Sequence, residues 1–510
     1  MDISTAMTVQ PQNNSPEAEI SSSGHPAAAM PEGDPTKRVT FSLISHTNVG
    51  KTTLARTLLR RDVGDVLDHE HVTDLNQRHS MLEDDGYELV LWDTPGFGHT
   101  GRLLKRLEQS GKPLRWFATQ LWDRITDRPL WCSQQAVLNV RDEADIVLYL
   151  VNAGTGPEDA GYVGPEMKLL SWIGKPVVVI LNQTGQFINP DAEARDEALW
   201  RDGLKQYDVV RNVVGLDAFG RCWVQEGELL ELIAPLLPEE KQAVYATLRK
   251  AWRRDNLAVF DKAVSAMARL LAGSVIDDER VTEESLAQKF GIGRGAINDE
   301  LAKAKEQLAQ RLAQRTFDRT NELISLHGLD GQTAQKMADV AKENFGTPDK
   351  VNESVWSLIG GVATGASGGL IADILAGGFT FGGGVIGGAI LGGAGAYALA
   401  KGFNLAKGQK NHVRWSQEHF VEQVRVALLT YLAVAHFGRG RGSWEDSEHP
   451  EFWRSEVAKA VDNERPEIEK IWKSGADDNA RLDRIEASLA RVVKRAATQV
   501  LRVIYPECKL

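Results

Sequence analysis

The sequence predicts an α/β fold with a mostly parallel sheet and helices on both faces, followed by an all-α region that contains a glycine-rich helical hairpin. Three observations support this prediction. Apolar strand-like runs alternate with helix-like segments over residues 37–235, which is typical of a parallel sheet. Residues 301–312 instead carry apolar side chains at helical spacing, and residues 355–400 are crowded with glycine pairs.

The first predicted element is an apolar strand that passes through a turn into a helix, over residues 41–54. The helix opens at Gly50, Lys51 and Thr52, so its N-terminal amides favour a bound anion. Lys51 is placed to reach the outer phosphates of a nucleotide, and the Thr52 hydroxyl is placed to hold Mg²⁺. Ser45 stands where the phosphate-loop pattern has its first glycine. The alternative is a strand–helix turn that contains these residues by chance.

A second apolar strand, residues 88–92, leads into Asp93 and then Gly96. A carboxylate at this position can join the shell of Mg²⁺, and the Gly96 amide can contact the terminal phosphate. The Asp-x-x-Gly pattern is weak on its own. In phase with the phosphate loop, the two motifs together resemble the GTPase branch of the P-loop proteins.

The loop between these motifs is expected to carry a threonine that closes over the metal and the last phosphate. Thr73 is the candidate, because Thr57 falls inside the first helix and Ser80 lies close to the next strand. His69 and His71 lie in the same loop, but no second cluster with ligand spacing accompanies them. We therefore interpret these histidines as solvated loop residues.

Residues 37–235 resemble the Era and TrmE-like GTPases. The shared features are the sequence Asn-Val-Gly-Lys at residues 48–51 and a hydrophobic residue, Phe97, in place of the water-orienting glutamine of small GTPases. An aromatic ring cannot orient water by a hydrogen bond, so a polar group must come from elsewhere. The resemblance makes Asn48 a candidate K⁺ ligand. Asn48 could equally serve an unusual turn conformation only.

The resemblance also implies a set of site residues for GTP and GDP. The nucleotide is expected to contact the phosphate loop and two later loops at Ser45, Thr47, Asn48, Val49, Gly50, Lys51, Thr52, Thr53, Asn182 and Ala218. Mg²⁺ is expected at Thr52, Thr73 and Asp93. Hydrolysis is expected to depend on Lys51, Thr73 and Gly96.

The segment expected to read the base departs from the GTPase pattern. Asn182 matches the first residue of Asn-Lys-x-Asp, but Gln183 and Gly185 replace the lysine and the aspartate. The hydrogen-bonding group that would reject adenine is therefore missing, which leaves guanine specificity open. Ala218 resembles the backbone contact of the last GTPase motif. Asp217 could replace the lost carboxylate or be an exposed loop residue.

The chain divides into several predicted segments. A tail without periodicity, rich in Ser, Pro, Ala and Asn, precedes the nucleotide domain, and no secretory signal is evident in it. The long connection after Phe97 contains apolar residues at helical spacing, so an inserted helical element is expected there. The segments are 1–36 (tail), 37–235 (nucleotide domain, with the insertion at about 98–140), 236–354 (helical), 355–400 (hairpin) and 401–510 (helical).

The glycine-rich segment 355–400 is a candidate membrane hairpin. It carries one charge, Asp373, and interleaves glycine pairs with Leu, Ile, Val and Phe. A membrane span needs about 20 apolar residues, and small residues four apart let helices approach closely. Both ends of such a hairpin lie on one side, and basic residues follow its exit at Lys401, Lys407, Lys410 and Arg414. The alternative is a buried hairpin inside the helical region.

Composition narrows the function further. Three cysteines without pair-like spacing indicate a reducing compartment, and a net charge of -11 without a basic stripe argues against a dedicated nucleic-acid surface. The sequence therefore predicts a GTP-hydrolysing switch at the cytoplasmic face of the inner membrane, with homo-oligomer formation through the hairpin. The alternatives are a membrane-remodelling protein that only binds nucleotide and a cytoplasmic RNA-associated assembly GTPase.

Overall fold

The structure is a computed structural model. It describes residues 34–47, 49–60, 76–98, 100–109, 128–182, 190–216, 222–280, 295–329, 403–405, 412–436, 451–475 and 481–506. Thr73, the middle of the insertion and the hairpin at 355–400 lie outside the described residues. Residues 34–36, which the sequence assigns to the tail, enter a short 3-10 turn, Pro35–Lys37, because the Asp34 side chain accepts a hydrogen bond from the Thr36 amide.

A six-stranded sheet with the strand order β2-β3-β1-β4-β5-β6 forms the first part of the molecule. All strands pair in parallel except β2, which is antiparallel to β3. The strands are β1 (Arg38–Ser45), β2 (Gln77–Asp84), β3 (Tyr87–Asp93), β4 (Ile146–Asn152), β5 (Val177–Asn182) and β6 (Val210–Gly215). Its helices are α1 (Lys51–Leu59), α2 (Thr100–Gln109), α3 (Arg128–Asp142), α4 (Val163–Ile173), α5 (Pro190–Leu204) and α6 (Trp223–Ile233). The predicted P-loop GTPase-type α/β fold is confirmed.

The central strands β1, β4 and β5 are buried at nearly every position. A parallel strand covered on both faces needs apolar side chains at consecutive positions, which explains the continuous apolar runs in the sequence. The carboxyl ends of β1, β3 and β5 lie at one edge of the sheet. Ligands of open α/β sheets bind at this edge, so it positions the candidate site.

The second part of the molecule is mainly helical, as predicted. Its helices are α7 (Glu239–Ile276), α8 (Gly295–Leu326), α9 (Gln417–Ala435), α10 (Glu451–Ser474) and α11 (Leu482–Ile504). A small antiparallel sheet in the order β7-β9-β8 accompanies them, made of β7 (Asp278–Arg280), β8 (Phe403–Leu405) and β9 (His412–Trp415). These strands have three or four residues, too few for a period-two pattern to stand out in the sequence.

The long helix α7 joins the two parts, because it packs directly on β1, β2 and β3. The rings of Phe41 and Tyr245 meet edge to face with centroids 6.1 Å apart. Lys241 Nζ donates to both carboxylate oxygens of Asp145 at 2.7 Å. Buried apolar side chains run continuously from β1 to α11, so the sheet and the helices share one core. Among the helices in the described part of the chain, none is both long and apolar enough to cross a membrane.

Burial of His419, in the first turn of α9, makes the stability of this core depend on pH. Its ring is 1% exposed and stacks on Trp415 with centroids 4.5 Å apart. Burial lowers the pKa of His419 from 6.5 to about 4. The folded protein therefore binds fewer protons than the unfolded chain between these values, so stability is full above pH 6.5 and falls as the pH drops toward 4.

We expect the charging of His419 to remove about 3 kcal/mol of unfolding free energy between neutral pH and pH 4. Replacing His419 by phenylalanine keeps a ring beside Trp415 and removes this contribution. Urea unfolding at several pH values should show a shallower decline for the variant. Parallel curves for the variant and the wild-type protein would contradict the assignment to His419.

Candidate nucleotide site

The phosphate loop connects β1 to α1, as the sequence predicts. Gly50 is the N-cap of α1 and has a φ of 87°, in the left-handed region that favours glycine. The Leu54 amide donates to the Gly50 carbonyl at 2.9 Å, so the helix is closed from its first turn. Ser45 is buried, and its hydroxyl donates to the His46 carbonyl at 2.7 Å. Thr47, Val49 and Thr53 are placed in the same loop and first turn, while Asn48 lies outside the described residues.

Lys51, Thr52 and Asp93 come together although they are distant in sequence. Lys51 Nζ donates to Asp93 Oδ1 at 2.6 Å, and Thr52 Oγ1 donates to Asp93 Oδ2 at 2.9 Å. Lys51 is 7% exposed, and Asp93 is fully buried. The register of β1 against β3 produces this contact, because Leu43 pairs with Asp93. The cluster therefore sits where the two parallel strands end.

The Thr52 and Asp93 oxygens fit a magnesium ion. Mg²⁺ takes oxygen ligands at about 2.0–2.1 Å in octahedral geometry, which places neighbouring ligands about 2.9 Å apart. The separation of 2.9 Å between Thr52 Oγ1 and Asp93 Oδ2 matches this requirement. No group of three His, Cys, Asp or Glu side chains suited to a metal occurs among the residues that the structure describes. That finding is compatible with Mg²⁺, which usually keeps waters and substrate phosphates as its other ligands.

The segment after β3 lies directly against the phosphate loop. The Phe97 amide donates to the Ser45 carbonyl at 2.9 Å. A Cβ on Gly96 would lie 3.3 Å from Thr47 Cα, so a side chain there would crowd the loop backbone. The Phe97 ring is fully buried, in the same apolar cluster as Ile44. Gly96 thus lies close to the backbone of the phosphate loop.

Asn182 is at the site, but its contact is with the loop. Its side-chain Nδ2 donates to the Val49 carbonyl at 2.7 Å. Its backbone carbonyl accepts from the Ala153 amide at 2.8 Å. The side chain therefore fixes the phosphate loop to the end of β5. The other base-reading positions, Gln183, Gly185 and Ala218, lie outside the described residues.

Replacing Asn182 by alanine removes its hydrogen bond to the Val49 carbonyl. We expect GDP affinity to fall about tenfold, because one buried hydrogen bond contributes about 1 kcal/mol and the freed carbonyl adds a desolvation cost. Titration with a fluorescent GDP analogue measures the change. Asn212→Ala is a matched control, since that side chain is exposed and donates to the Leu232 carbonyl away from the site. Equal affinities for the two variants would show that this hydrogen bond has no effect on binding.

One buried cluster beside the site was not anticipated from the sequence. The carboxylate of Glu166, in α4, lies 2.8 Å from His46 Nδ1 and accepts from the hydroxyls of Tyr149 at 2.6 Å and Thr100 at 3.2 Å. Glu166 is fully buried. Burial raises the pKa of its carboxyl, against the lowering effect of these hydrogen bonds. A single glutamate on an otherwise ordinary helix gives no motif by which a sequence reading could find it.

Two family models match the chain. Residues 40–183 match the model described as 50S ribosome-binding GTPase, and residues 205–497 match the model described as domain of unknown function DUF3482. A comparison with curated proteins finds no matching sequence.

Several solved structures are similar to part of the chain. A variant of Era from Aquifex aeolicus bound to GDP and AlF4⁻ is 20% identical, with a TM-score of 0.29, over 40% of this chain and 57% of the Era chain. Era in complex with MgGDPNP and a 16S ribosomal RNA fragment is 18% identical, with a TM-score of 0.30 and the same coverage. NFeoB from S. thermophilus is 16% identical, with a TM-score of 0.21, over 41% of this chain and 75% of its own. The chain thus spans little more than half the length of the Era chains that it matches.

The two family models cover different parts of the structure. The GTPase model covers β1 to β5 and the residues of the phosphate loop, whereas the second model begins before the last strand of the sheet, β6, and continues through the helical part into α11. The chain carries a P-loop GTPase domain and, since the DUF3482 model matches more than half of its residues, belongs to the DUF3482 family.

Proposed function

We propose that this protein is a GTP-hydrolysing switch that converts GTP to GDP and phosphate. The observation that carries the proposal is the buried cluster of Lys51, Thr52 and Asp93 at the start of α1. A lysine, a hydroxyl and a carboxylate in this arrangement are the side chains that P-loop enzymes use to hold phosphates and their metal. GTP is proposed as the substrate because of the GTPase family model.

The proposed chemistry is attack of water on the terminal phosphate. Lys51 turns from Asp93 to the outer phosphates, and the amides of the phosphate loop and Gly96 stabilise the charge that develops in the transition state. Mg²⁺, when bound, supplies positive charge at the phosphates, and Thr52, Asp93 and Thr73 are its proposed ligands. Asn48 is proposed to hold K⁺, which would provide the polar assistance that the buried Phe97 cannot.

We propose that α1 transmits a change of the bound nucleotide to the helical part of the protein. Arg60 follows the last residue of α1, and its guanidinium contacts the Glu226 carboxylate in α6 and the Asn256 side chain in α7 at 3.4 and 2.5 Å. Burial lowers the pKa of Arg60. Helix α1, which begins at the phosphate loop, thus ends in contact with α7, the helix that leads into the helical part of the chain. A shift of α1 with nucleotide state would therefore act on α7 directly.

Hydrogen exchange tests this switch. We expect amides of α7 to exchange at different rates with a non-hydrolysable GTP analogue and with GDP. Identical exchange outside residues 37–235 in the two states would mean that the nucleotide has no effect beyond its own domain, and the switch proposal would fail.

Membrane association at the cytoplasmic face is proposed from the composition of residues 355–400, and the same hairpin is proposed to mediate self-association. Flotation with liposomes after a high-salt wash tests this part separately. We expect the full chain to float and a variant without residues 355–400 to remain at the bottom. If the two behave alike, the hairpin does not mediate membrane binding.

A second candidate function is ribosome association, and the description of the matching GTPase model favours it. Sedimentation of the protein with 50S subunits in the presence of a GTP analogue, but not of GDP, would support this role over the membrane role. The net charge of -11 makes a phosphate-backbone surface less favourable.

A further inference from the structure

Glu166 is a buried carboxylate that the proposed chemistry does not use. It is fully buried, and three side chains on three different elements direct polar atoms at it: His46 in the phosphate loop, Thr100 at the start of α2, and Tyr149 on β4. Burial and, to a lesser extent, the nearby Glu166 carboxylate raise the pKa of Tyr162. Taking a carboxylate out of water is costly unless hydrogen bonds compensate. The cluster is therefore specifically built and not a chance contact.

The partners of Glu166 belong to the two segments that must respond to the terminal phosphate. His46 directly follows Ser45, and its ring also stacks on Tyr162 with centroids 4.4 Å apart, so its position is fixed from two sides. Thr100 lies four residues after Gly96, at the first residue of α2. The same Glu166 oxygen, Oε1, faces both His46 Nδ1 and the Thr100 hydroxyl. One carboxylate oxygen thus connects the phosphate loop to the helix that follows Gly96.

A backbone contact joins the two segments at one point. The Phe97 amide donates a hydrogen bond to the Ser45 carbonyl. The contact of Thr100 with Glu166 provides a second fixed point at the other end of the same short segment. Two fixed points define the path of the chain, and hence the direction of the Gly96 amide, better than one.

We propose that Glu166 is a positioning residue for GTP hydrolysis, which holds the segment 96–100 in register with the phosphate loop through His46 and Thr100. This inference rests on the proposed function. Glu166 acts through the Gly96 amide. The alignment of this amide with the terminal phosphate matters in the transition state and little in the GDP complex. The loss should therefore appear in kcat and not in the affinity for GDP.

The first test replaces Thr100 by valine, which keeps the shape of the side chain and removes the donor. We expect kcat for GTP to fall about tenfold, because one lost positioning contact misaligns the reacting groups, while the Kd for GDP changes less than about twofold. Thr100→Ser retains the hydroxyl and should restore kcat. Ser42→Ala is the matched control: Ser42 also donates through a buried hydroxyl, at 2.7 Å to Asn139, but it ties no loop. It should lower stability and leave kcat unchanged.

The second test combines Thr100→Val with Glu166→Leu, which removes the acceptor. Because Thr100 acts through Glu166, adding Thr100→Val to Glu166→Leu should cause no further loss of kcat. A double variant with kcat about tenfold below that of Glu166→Leu, or a Thr100→Val variant with wild-type kcat, would overturn the inference.

Amide hydrogen exchange of the GDP-bound protein tests the contact between Thr100 and Glu166 independently of GTP hydrolysis. We expect faster exchange over residues 96–109 in Thr100→Val than in the wild-type protein, whether or not the wild-type protein turns over GTP. A wild-type protein without turnover would remove the proposed function. Unchanged exchange in the variant would remove the tie itself.

Discussion

Replacing Lys51 by alanine is expected to reduce GTP turnover by a factor of about 10²–10³. Lys51 is 7% exposed at the start of α1, and it is the described side chain of the phosphate loop that can bring a positive charge to the outer phosphates. Removing such a charge from a water-poor site takes away stabilisation that grows in the transition state. Phosphate release under saturating GTP measures the loss.

The matched control for this prediction is Lys205→Ala. Lys205 belongs to the same domain, forms an ion pair with Asp202, and has a side chain 73% exposed, so its removal should leave turnover unchanged. Thermal unfolding of both variants separates loss of chemistry from loss of fold. A Lys51→Ala variant that retains its fold and turns over GTP at the wild-type rate would contradict the assigned role.

The second large effect is expected for Asp93→Asn. The substitution keeps the size of the side chain but removes the charge that faces both Lys51 Nζ and Thr52 Oγ1. We expect the dependence of turnover on Mg²⁺ to shift to at least about tenfold higher concentrations, since a ligand carboxylate is lost. Without nucleotide the variant should also unfold more easily, because breaking one partner of a buried ion pair costs about 3–5 kcal/mol.

Asp145→Asn provides the comparison that distinguishes these two effects. Asp145 also forms an ion pair with a lysine, Lys241, but that pair is only part-buried and joins the sheet to α7 and not to the site. Both variants should lose stability, and only Asp93→Asn should change the Mg²⁺ titration. Titration curves that shift equally in both would indicate a general loss of structure and not a lost metal ligand.

The sequence predicts the phosphate loop well because the motif is local. Strand, turn and helix follow one another within residues 38–59, and the glycine that the turn requires is at position 50 with a φ of 87°. The sequence also predicts Thr52 and Asp93 at one Mg²⁺ site, although the residues lie far apart in the chain, but it gives no indication of the ion pair between Lys51 and Asp93. Two parallel strands that end at the same sheet edge bring their following residues together.

The cluster around Glu166 could not be predicted in the same way. Its members come from four separate elements, and no spacing in the chain relates them, so only the packing of α4 on the sheet brings them together. The assignment of Asn182 to the nucleotide stays a prediction, and the structure adds a contact of its side chain with the Val49 carbonyl. This contact could not be predicted, because it depends on the tertiary distance between β5 and the phosphate loop.

Sequence patterns likewise could not predict that the two parts share one core. Apolar periodicity predicts that α7 has a buried face, but it does not identify what covers that face. In the structure the cover is the nucleotide sheet itself, through contacts such as Phe41 with Tyr245. The proposal that α7 responds to nucleotide depends on this contact.

The most direct test of the central claim is competition between GTP and ATP for one labelled triphosphate on the full chain, followed by hydrolysis in K⁺ and in Na⁺. A GTP-hydrolysing switch should bind GTP at lower concentrations than ATP, as the GTPase family model indicates, and should hydrolyse it with Mg²⁺, faster in K⁺. Equal competition by the two nucleotides, or GTP binding without turnover in either salt, would contradict it.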